Sequence, residues 1–368
     1  MDHRVREHAT VLVDWSARIE AGDDVVLSVG EGAHDLAVAV AEVLGQRGAN
    51  LVCTYSSPEI TGAYLEAHDG DFDSDPAHEL ALHAEADSVL HLDGRRNTAE
   101  LADVDAETRQ AYDRSREGVR EAHMDTDWVT TLHPTRALAQ QAGMSYRDYR
   151  DFVYRATLRD WESLAEEMAT LKEVLDAGSE VRIETAETDL TMSIEGRTAV
   201  NSAASVAYDS HNLPSGEVFT APTATEGTVH FDVPMTIHGT RVEDVTLVFE
   251  DGEVVDWSAE RGGDAVEETL ETDEGARRLG ELGVGMNRGI DRFTDNVLFD
   301  EKMGETVHLA LGRAYDANLP EGETGNQSAV HVDMIAGVSE DARLLVDGEV
   351  IQRDGAFRWE DGFEAEAP

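Results

Sequence analysis

The stretch Asp24-Val25-Val26-Leu27-Ser28-Val29, followed by Gly30-Glu31-Gly32, an Ala- and Val-rich segment at 33–47, Gly48, and Leu51-Val52-Cys53-Thr54-Tyr55, decides the fold of the first half. Two short apolar runs flank a segment of helical length that ends at a glycine. This is the pattern of a βαβ unit, with parallel strands and a right-handed crossover. Working outward, Ser88-Val89-Leu90-His91-Leu92 and Trp128-Val129-Thr130-Thr131-Leu132 read as further strands of the same sheet. Apolar residues at Val5, Ala9, Leu12, Val13 and Ile19 give helical spacing before the first strand. A long helix is expected from 145 to about 175, with Ala177-Gly178 as its stop. Residues 1–178 thus read as an α/β domain with a mainly parallel sheet. Gly30-Glu31-Gly32 invites a dinucleotide-binding reading, but Asp35 stands where the fingerprint needs its third glycine. The turn is read as a simple strand-to-helix connection.

After Gly178 the texture changes. Val181–Glu184, Leu190–Ile194 and Thr228–Val233 alternate with period two, and Val245–Phe249 is joined to Val254–Trp257 through Glu250-Asp251-Gly252-Glu253, a hairpin signal. A helix is expected at 264–282, and strands resume at 307–311. Residues 179–368 read as an α+β domain with a mainly antiparallel sheet, ending in an acidic tail from Asp361 that is expected to be disordered. At 368 residues the length agrees with two domains, given roughly 150 residues per domain.

Composition limits the partners. Formal net charge is -48, and Lys172 and Lys302 are the only lysines, so nearly all positive charge is arginine. Acids are scattered through every segment, the pattern of a halophilic surface that needs salt to screen self-repulsion. An apolar fraction of 41% argues against a disordered acidic chain. No basic stripe exists to neutralise phosphates, so nucleic acid is excluded as a partner. No apolar run approaches the roughly 20 residues of a membrane span. The start, Met1-Asp2-His3-Arg4, lacks an apolar leader, which gives the expectation of a cytoplasmic protein without membrane attachment. Cys53 is the single cysteine and is expected to be a buried strand residue.

There is no HExxH, since in His78-Glu79-Leu80-Ala81-Leu82-His83 the second histidine comes one position too late. A nucleophile elbow, a P-loop and a CxxC are also missing. A hydrolase here needs a dispersed metal site. In His331-Val332-Asp333 the two donors share a face if the segment is extended. His308 sits in the apolar run Thr306–Gly312, and Tyr315 follows as a candidate proton donor. Glu281 is expected at a helix end and Glu217 at a strand start, both flanked by glycine. Buried carboxylates cost several kcal/mol unless paired or metal-bound. Two Glu, two His and one Asp form a donor set suited to a dinuclear zinc or cobalt site.

These residues carry a resemblance. The run Asn212-Leu213-Pro214-Ser215-Gly216-Glu217-Val218-Phe219-Thr220-Ala221-Pro222 resembles the signature of the aminopeptidase T family of thermophilic metallo-aminopeptidases. The likeness continues, in order, through Gly275–Glu281, Leu298–Lys302, His308–Tyr315, Asn326-Gln327-Ser328 and His331-Val332-Asp333, in what looks like a haloarchaeal-like member. Lys302 stands where many members have asparagine, and the segment between Tyr315 and His331 is short. The resemblance implies two divalent ions, zinc or cobalt with magnesium or manganese as alternatives, held by Glu217, Glu281, His308, His331 and Asp333. It also implies a site tyrosine, Tyr315, and a homodimer. The expected function is release of N-terminal residues from peptides by a metal-activated water, with Tyr315 and Glu281 as catalytic groups. Glu281 is expected either to bridge the ions or to shuttle a proton. Alternatives are a dipeptidase or other metal-dependent amidohydrolase, and a non-catalytic nucleotide-binding protein.

Overall fold

The run Val25-Val26-Leu27 with Val29 lies in strand Asp24–Gly30, and all four side chains are buried. Burial on both faces is what a strand between two parallel neighbours requires. The computed structural model describes residues 2–363, so the expected acidic tail from residue 364 onward lies outside the described residues. The order in this sheet is Asn50–Ser56, Asp24–Gly30, Ser88–Asp93, Asp127–Leu132, Asn212–Leu213, and every neighbouring pair is parallel. Helix His34–Arg47 makes the crossover and buries Leu36, Val40 and Leu44 on one stripe. Gly48 ends it with φ of 81°, and its N–H returns to the Leu44 carbonyl.

Strand Asn50–Ser56 is the outer strand of this sheet, and Cys53 is exposed on it, contrary to the expectation of burial. An apolar run signals a strand but not its depth in the sheet. Leu51 and Val52 are exposed for the same reason.

The Gly30-Glu31-Gly32 turn has a packing explanation. Gly32 N–H donates to the Gly94 carbonyl at 2.6 Å. A Cβ on Gly32 would lie 2.6 Å from that oxygen and 2.7 Å from Thr135 Cγ2. Buried Glu31 accepts from Ser57 Oγ at 3.0 Å and from the Arg96 N–H at 3.1 Å. The loops after two adjacent parallel strands therefore press together where a nucleotide phosphate would have to enter.

The chain forms two compact units. One comprises residues up to Arg159 with Ala204–Pro214, and the other comprises Asp160–Ala203 with residues from Ser215 onward. Gly178, where the sequence suggests a boundary, lies inside the second unit, at the end of helix Trp161–Ala177. The single helix expected at 145–175 is two helices, Tyr146–Thr157 and Trp161–Ala177. Asp160 restarts the second by accepting the Ser163 N–H. The helix expected near the N-terminus is α-helical over His3–Thr10 and widens to π-helical turns over Val11–Ser16.

The second unit holds a nine-stranded and a five-stranded sheet, and all strand pairings in both are antiparallel. The expected hairpin joins Thr240–Glu250 to Glu253–Arg261, with φ of 53° at Asp251 and 79° at Gly252. Two positive φ values are what a tight two-residue hairpin turn needs. The five-stranded sheet runs His331–Gly337, Thr306–Gly312, Leu279–Gly285, Glu217–Thr220, Val200–Ser202. Among the described residues no helix is long and apolar enough to cross a membrane.

The Gly32 contact makes a prediction. Replacing Gly32 with alanine forces the two loops apart and should cost about 1–3 kcal/mol. The expected result is a lower urea midpoint in molar KCl with an unchanged m-value; an unchanged midpoint would refute this account of the turn.

Candidate metal centre

The helix expected at 264–282 stops early, which places Glu281 on a strand. The helix covers Gly263–Leu270 and a 3-10 turn covers Glu274–Arg277. Asp273 separates them, and its carboxylate accepts the N–H groups of Ala276 and Ala329. The chain then enters strand Leu279–Gly285, every residue of which is buried. Its three glycines admit close neighbours. A Cβ on Gly280 would lie 2.2 Å from the Arg313 carbonyl oxygen, and one on Gly285 would lie 2.0 Å from that of Met303. A Cβ on Gly283 would lie 2.0 Å from the His308 ring. The glycine opposite His308 is therefore the space the imidazole occupies.

Register collects the rest. Glu281 stands opposite Ala310, which stands opposite Asp333. Gly283 stands opposite His308, Gly285 opposite Glu217, and Gly312 opposite His331. With period-two alternation, Glu217, Glu281, His308, His331 and Asp333 all face one side of the sheet. The small residues Gly283, Gly285 and Ala310 are interleaved among them.

His308 Nε2 is 3.0 Å from Glu281 Oε1 and 3.8 Å from Glu217 Oε2. His331 Nε2 is 3.6 Å from Glu281 Oε2 and 3.6 Å from Asp333 Oδ1. One donor atom each from Glu281, His308 and Asp333 lie within 4.8 Å of one another. Glu217, Glu281 and His308 are buried, while Asp333 and His331 are half-buried. Tyr315 is 42% exposed, with its ring centroid 4.9 Å from that of His331 and 6.2 Å from that of Phe219. The structure thus brings together all five candidate ligands and the tyrosine.

Both imidazoles are oriented from behind. His308 Nδ1 donates to the Glu301 carbonyl and His331 Nδ1 to the Arg313 carbonyl, each at 2.9 Å. A carbonyl can only accept, so Nδ1 carries a proton in both rings and Nε2 is the nitrogen that faces the carboxylates, the orientation a metal ligand needs once Nε2 is deprotonated. Asp300, in the loop that carries Glu301, accepts from Thr294 N–H, Thr294 Oγ and the Asn296 N–H. Burial pushes its carboxyl up to about 6 against the pull of those bonds.

The electrostatics call for cations. Burial would lower His308, but Glu281, Glu217 and Asp333 outweigh it and raise the ring to about 9. Burial drives Glu217 upward, opposed by Lys302 and His308. Glu217 Oε2 accepts no hydrogen bond among the described residues. Burial and then the carboxylates of Glu281, Asp333 and Glu217 raise the Tyr315 phenol to about 12. Three carboxylates, two imidazoles aimed by Nε2 and an unpartnered buried oxygen fit one or more divalent ions. A cleft of about 410 Å³ with a mixed lining, apolar at Met235, Ile237, Phe293 and Val297 and polar at Thr236, His238, Asp295 and Asn296, opens beside His331 and Asp333. Sequence reasoning did not find this cleft, or the supporting carbonyls of Glu301 and Arg313. The three glycines of Leu279–Gly285, at 280, 283 and 285, are a signal from which Gly283 could have been found.

Comparison with known proteins places the chain in a family. Aminopeptidase 2 of Geobacillus stearothermophilus is 38% identical over 160 residues, 39% of this chain and 37% of that protein. Aminopeptidase T of Thermus thermophilus is 42% identical over 149 residues, 37% of this chain and 36% of that protein. The chain thus spans little more than a third of the length of these curated relatives in the matched regions. The solved structure of wild-type AmpT from Thermus thermophilus superposes with a TM-score of 0.84 at 26% identity, covering 97% of this chain and 99% of that one. A 2,5-dihydroxypyridine dioxygenase from Pseudomonas putida KT2440 shares the fold alone, at 13% identity and a TM-score of 0.56 over 97% of each chain. The family of thermophilic metalloproteases, M29, matches residues 1–357, and the chain belongs to it.

Proposed function

We propose that the chain is a cytoplasmic metal-dependent aminopeptidase that removes N-terminal residues from peptides. The observation that carries this reading is the grouping of Glu217, Glu281, His308, His331 and Asp333 on one sheet face, with Glu217 Oε2 lacking a donor. Membership of a metalloprotease family and likeness to proteins named aminopeptidases support it. These five residues would hold two divalent ions, zinc or cobalt being the ions that suit mixed imidazole and carboxylate donors. When bound, such ions supply the Lewis acidity that activates a water and polarises the scissile carbonyl.

The protein's own groups divide the remaining work. The two oxygens of Glu281 each face a different imidazole, at 3.0 and 3.6 Å, so this carboxylate would help hold the ions together with both histidines, which leaves it less free to shuttle a proton. Burial and the nearby carboxylates raise the Tyr315 phenol to about 12, so it stays a proton donor well above neutral pH. It is placed to donate a hydrogen bond to the oxyanion that develops on the scissile carbonyl. Asp333 is the least buried of the three carboxylates and lines the cleft, so it is placed to receive the free α-ammonium that defines an exopeptidase substrate. The apolar stretch of the cleft wall at Met235, Ile237, Phe293 and Val297 suits an apolar N-terminal side chain, and the acids Asp295 and Asp300 disfavour an acidic one.

The deciding experiment is hydrolysis of leucine p-nitroanilide in molar KCl, after chelation and after restoring Co²⁺ or Zn²⁺. Loss and recovery of activity is the expected result, with leucine preferred to aspartate at the N-terminus and peptides longer than two residues accepted. A folded, metal-loaded chain that is inert across a peptide panel would overturn the reading, and cleavage of dipeptides alone would point to a dipeptidase. Gly283→Ala should push the His308 ring aside and weaken Co²⁺ binding by about 10–100-fold, as loss of ligand support does elsewhere; unchanged affinity would count against His308 as a ligand. Tyr315→Phe should lower kcat by about 10²–10³-fold with ion content intact. A kcat within a factor of two of the native value would remove Tyr315 from the mechanism.

A further inference from the structure

Lys302 is one of two lysines in the chain, and its side chain is fully buried. Its Nζ lies 3.5 Å from Glu217 Oε1 and in ion contact with Glu301. The backbone holds it there, since Lys302 N–H donates to the Phe299 carbonyl and the Lys302 carbonyl accepts from Asn287 N–H. The chain carries most of its positive charge as arginine, yet a compact ammonium sits at this position.

A buried ammonium is worth burying only beside negative charge, because in a water-poor site it is otherwise strongly destabilising. Glu301 and Glu217 together supply that charge, and Glu217 is also one of the five candidate ligands. The other end of the cluster differs. Glu281, His308 and Asp333 already place three donor atoms within 4.8 Å of one another, and neither Glu281 nor Asp333 has a lysine or arginine ion pair among the described residues. A fixed positive charge next to one carboxylate both competes for that carboxylate and repels a dication approaching it, and in a buried site this effect is poorly screened.

Resting on the metallo-aminopeptidase reading, we propose that Lys302 splits the two ion affinities. The ion that depends on Glu281, His308 and Asp333 binds tightly. The ion that depends on Glu217 competes with the Lys302 ammonium and is the weak, exchangeable one. Lys302 thereby acts as a positioning residue that sets how many ions the chain retains, without itself touching substrate.

The test is a titration of the chelator-treated, folded chain with Zn²⁺ in molar KCl, followed by calorimetry, with bound metal counted after dialysis. The native chain should show two steps, the second weaker by at least about tenfold, and should keep one ion through dialysis. Lys302→Met, which fills the same buried space without charge, should tighten the second step by about tenfold or more and leave the first nearly unchanged. Such a chain would retain two ions through dialysis. Lys302→Gln should act in the same direction and serves if the Met variant does not fold. Two equal steps in the native chain overturn the proposal, and so does a gap that persists in a folded Lys302 variant. A native chain that binds no ion overturns the metallopeptidase reading along with it. That outcome is distinct, because it appears in the native titration before any variant is made.

Discussion

The burial of Glu217 and Glu281 on one face of a five-stranded sheet, with half-buried Asp333 beside them, is the constraint around which that sheet is built. Each would cost several kcal/mol if left uncompensated, and Glu217 and Glu281 are buried with side chains only 7% exposed. The surroundings supply basic partners in place of water: His308, His331 and Lys302. The glycines of Leu279–Gly285 make room for those partners. The carbonyls of Glu301 and Arg313 fix which ring nitrogen faces the carboxylates. The Asp300 hydrogen bonds tie down the loop that carries the first of these carbonyls. Backbone, glycine spacing and loop chemistry all serve one electrostatic requirement.

The first unit solves a different problem. Its parallel sheet needs both faces covered, and helix His34–Arg47 covers part of one with a stripe of Leu36, Val40 and Leu44. The glycine turn that resembles a nucleotide motif is spent on backbone contact, with the Gly32 N–H bonded to the Gly94 carbonyl. Glu31, whose side chain fills the middle of that turn, is satisfied by Ser57 and by the backbone of Arg96. The turn's glycine and its acid are thus both accounted for by contacts within the sheet's own loops.

Legibility in the sequence followed the range of the forces involved. The βαβ unit, the Asp251-Gly252 hairpin and the shared face of His331 and Asp333 depend on periodicity and local φ, which neighbouring residues determine. The five candidate ligands were legible through the order of short motifs, not through any one of them. What depends on tertiary neighbours was not legible. Cys53 lies in a run as apolar as that of Val25-Val26-Leu27, and only the sheet order makes one exposed and the other buried. Glu281 was read at a helix end because Gly280 and Gly283 look like helix stops, whereas in a buried strand they are the marks of close packing. The role of Lys302 depends on Glu217, 85 positions away in the chain, and no local pattern connects them.

The abundance of acids, which makes any single carboxylate uninformative in the sequence, becomes an aid once burial is known. The chain has 77 acidic residues, yet the buried ones among the described residues are Glu31, Glu217, Glu281 and Asp300. Two of these four are satisfied by neutral donors: Glu31 by a hydroxyl and a backbone N–H, Asp300 by a hydroxyl and two backbone N–H groups. Such carboxylates are structural, because each hydrogen bond replaces one to water and the geometry is closed. The other two, Glu217 and Glu281, face ionisable side chains, and Glu217 leaves one oxygen without a donor. A native protein tolerates that arrangement only where another charge completes it, which separates these two acids from the other 75 on physical grounds and makes the sheet face they share the candidate for a metal centre.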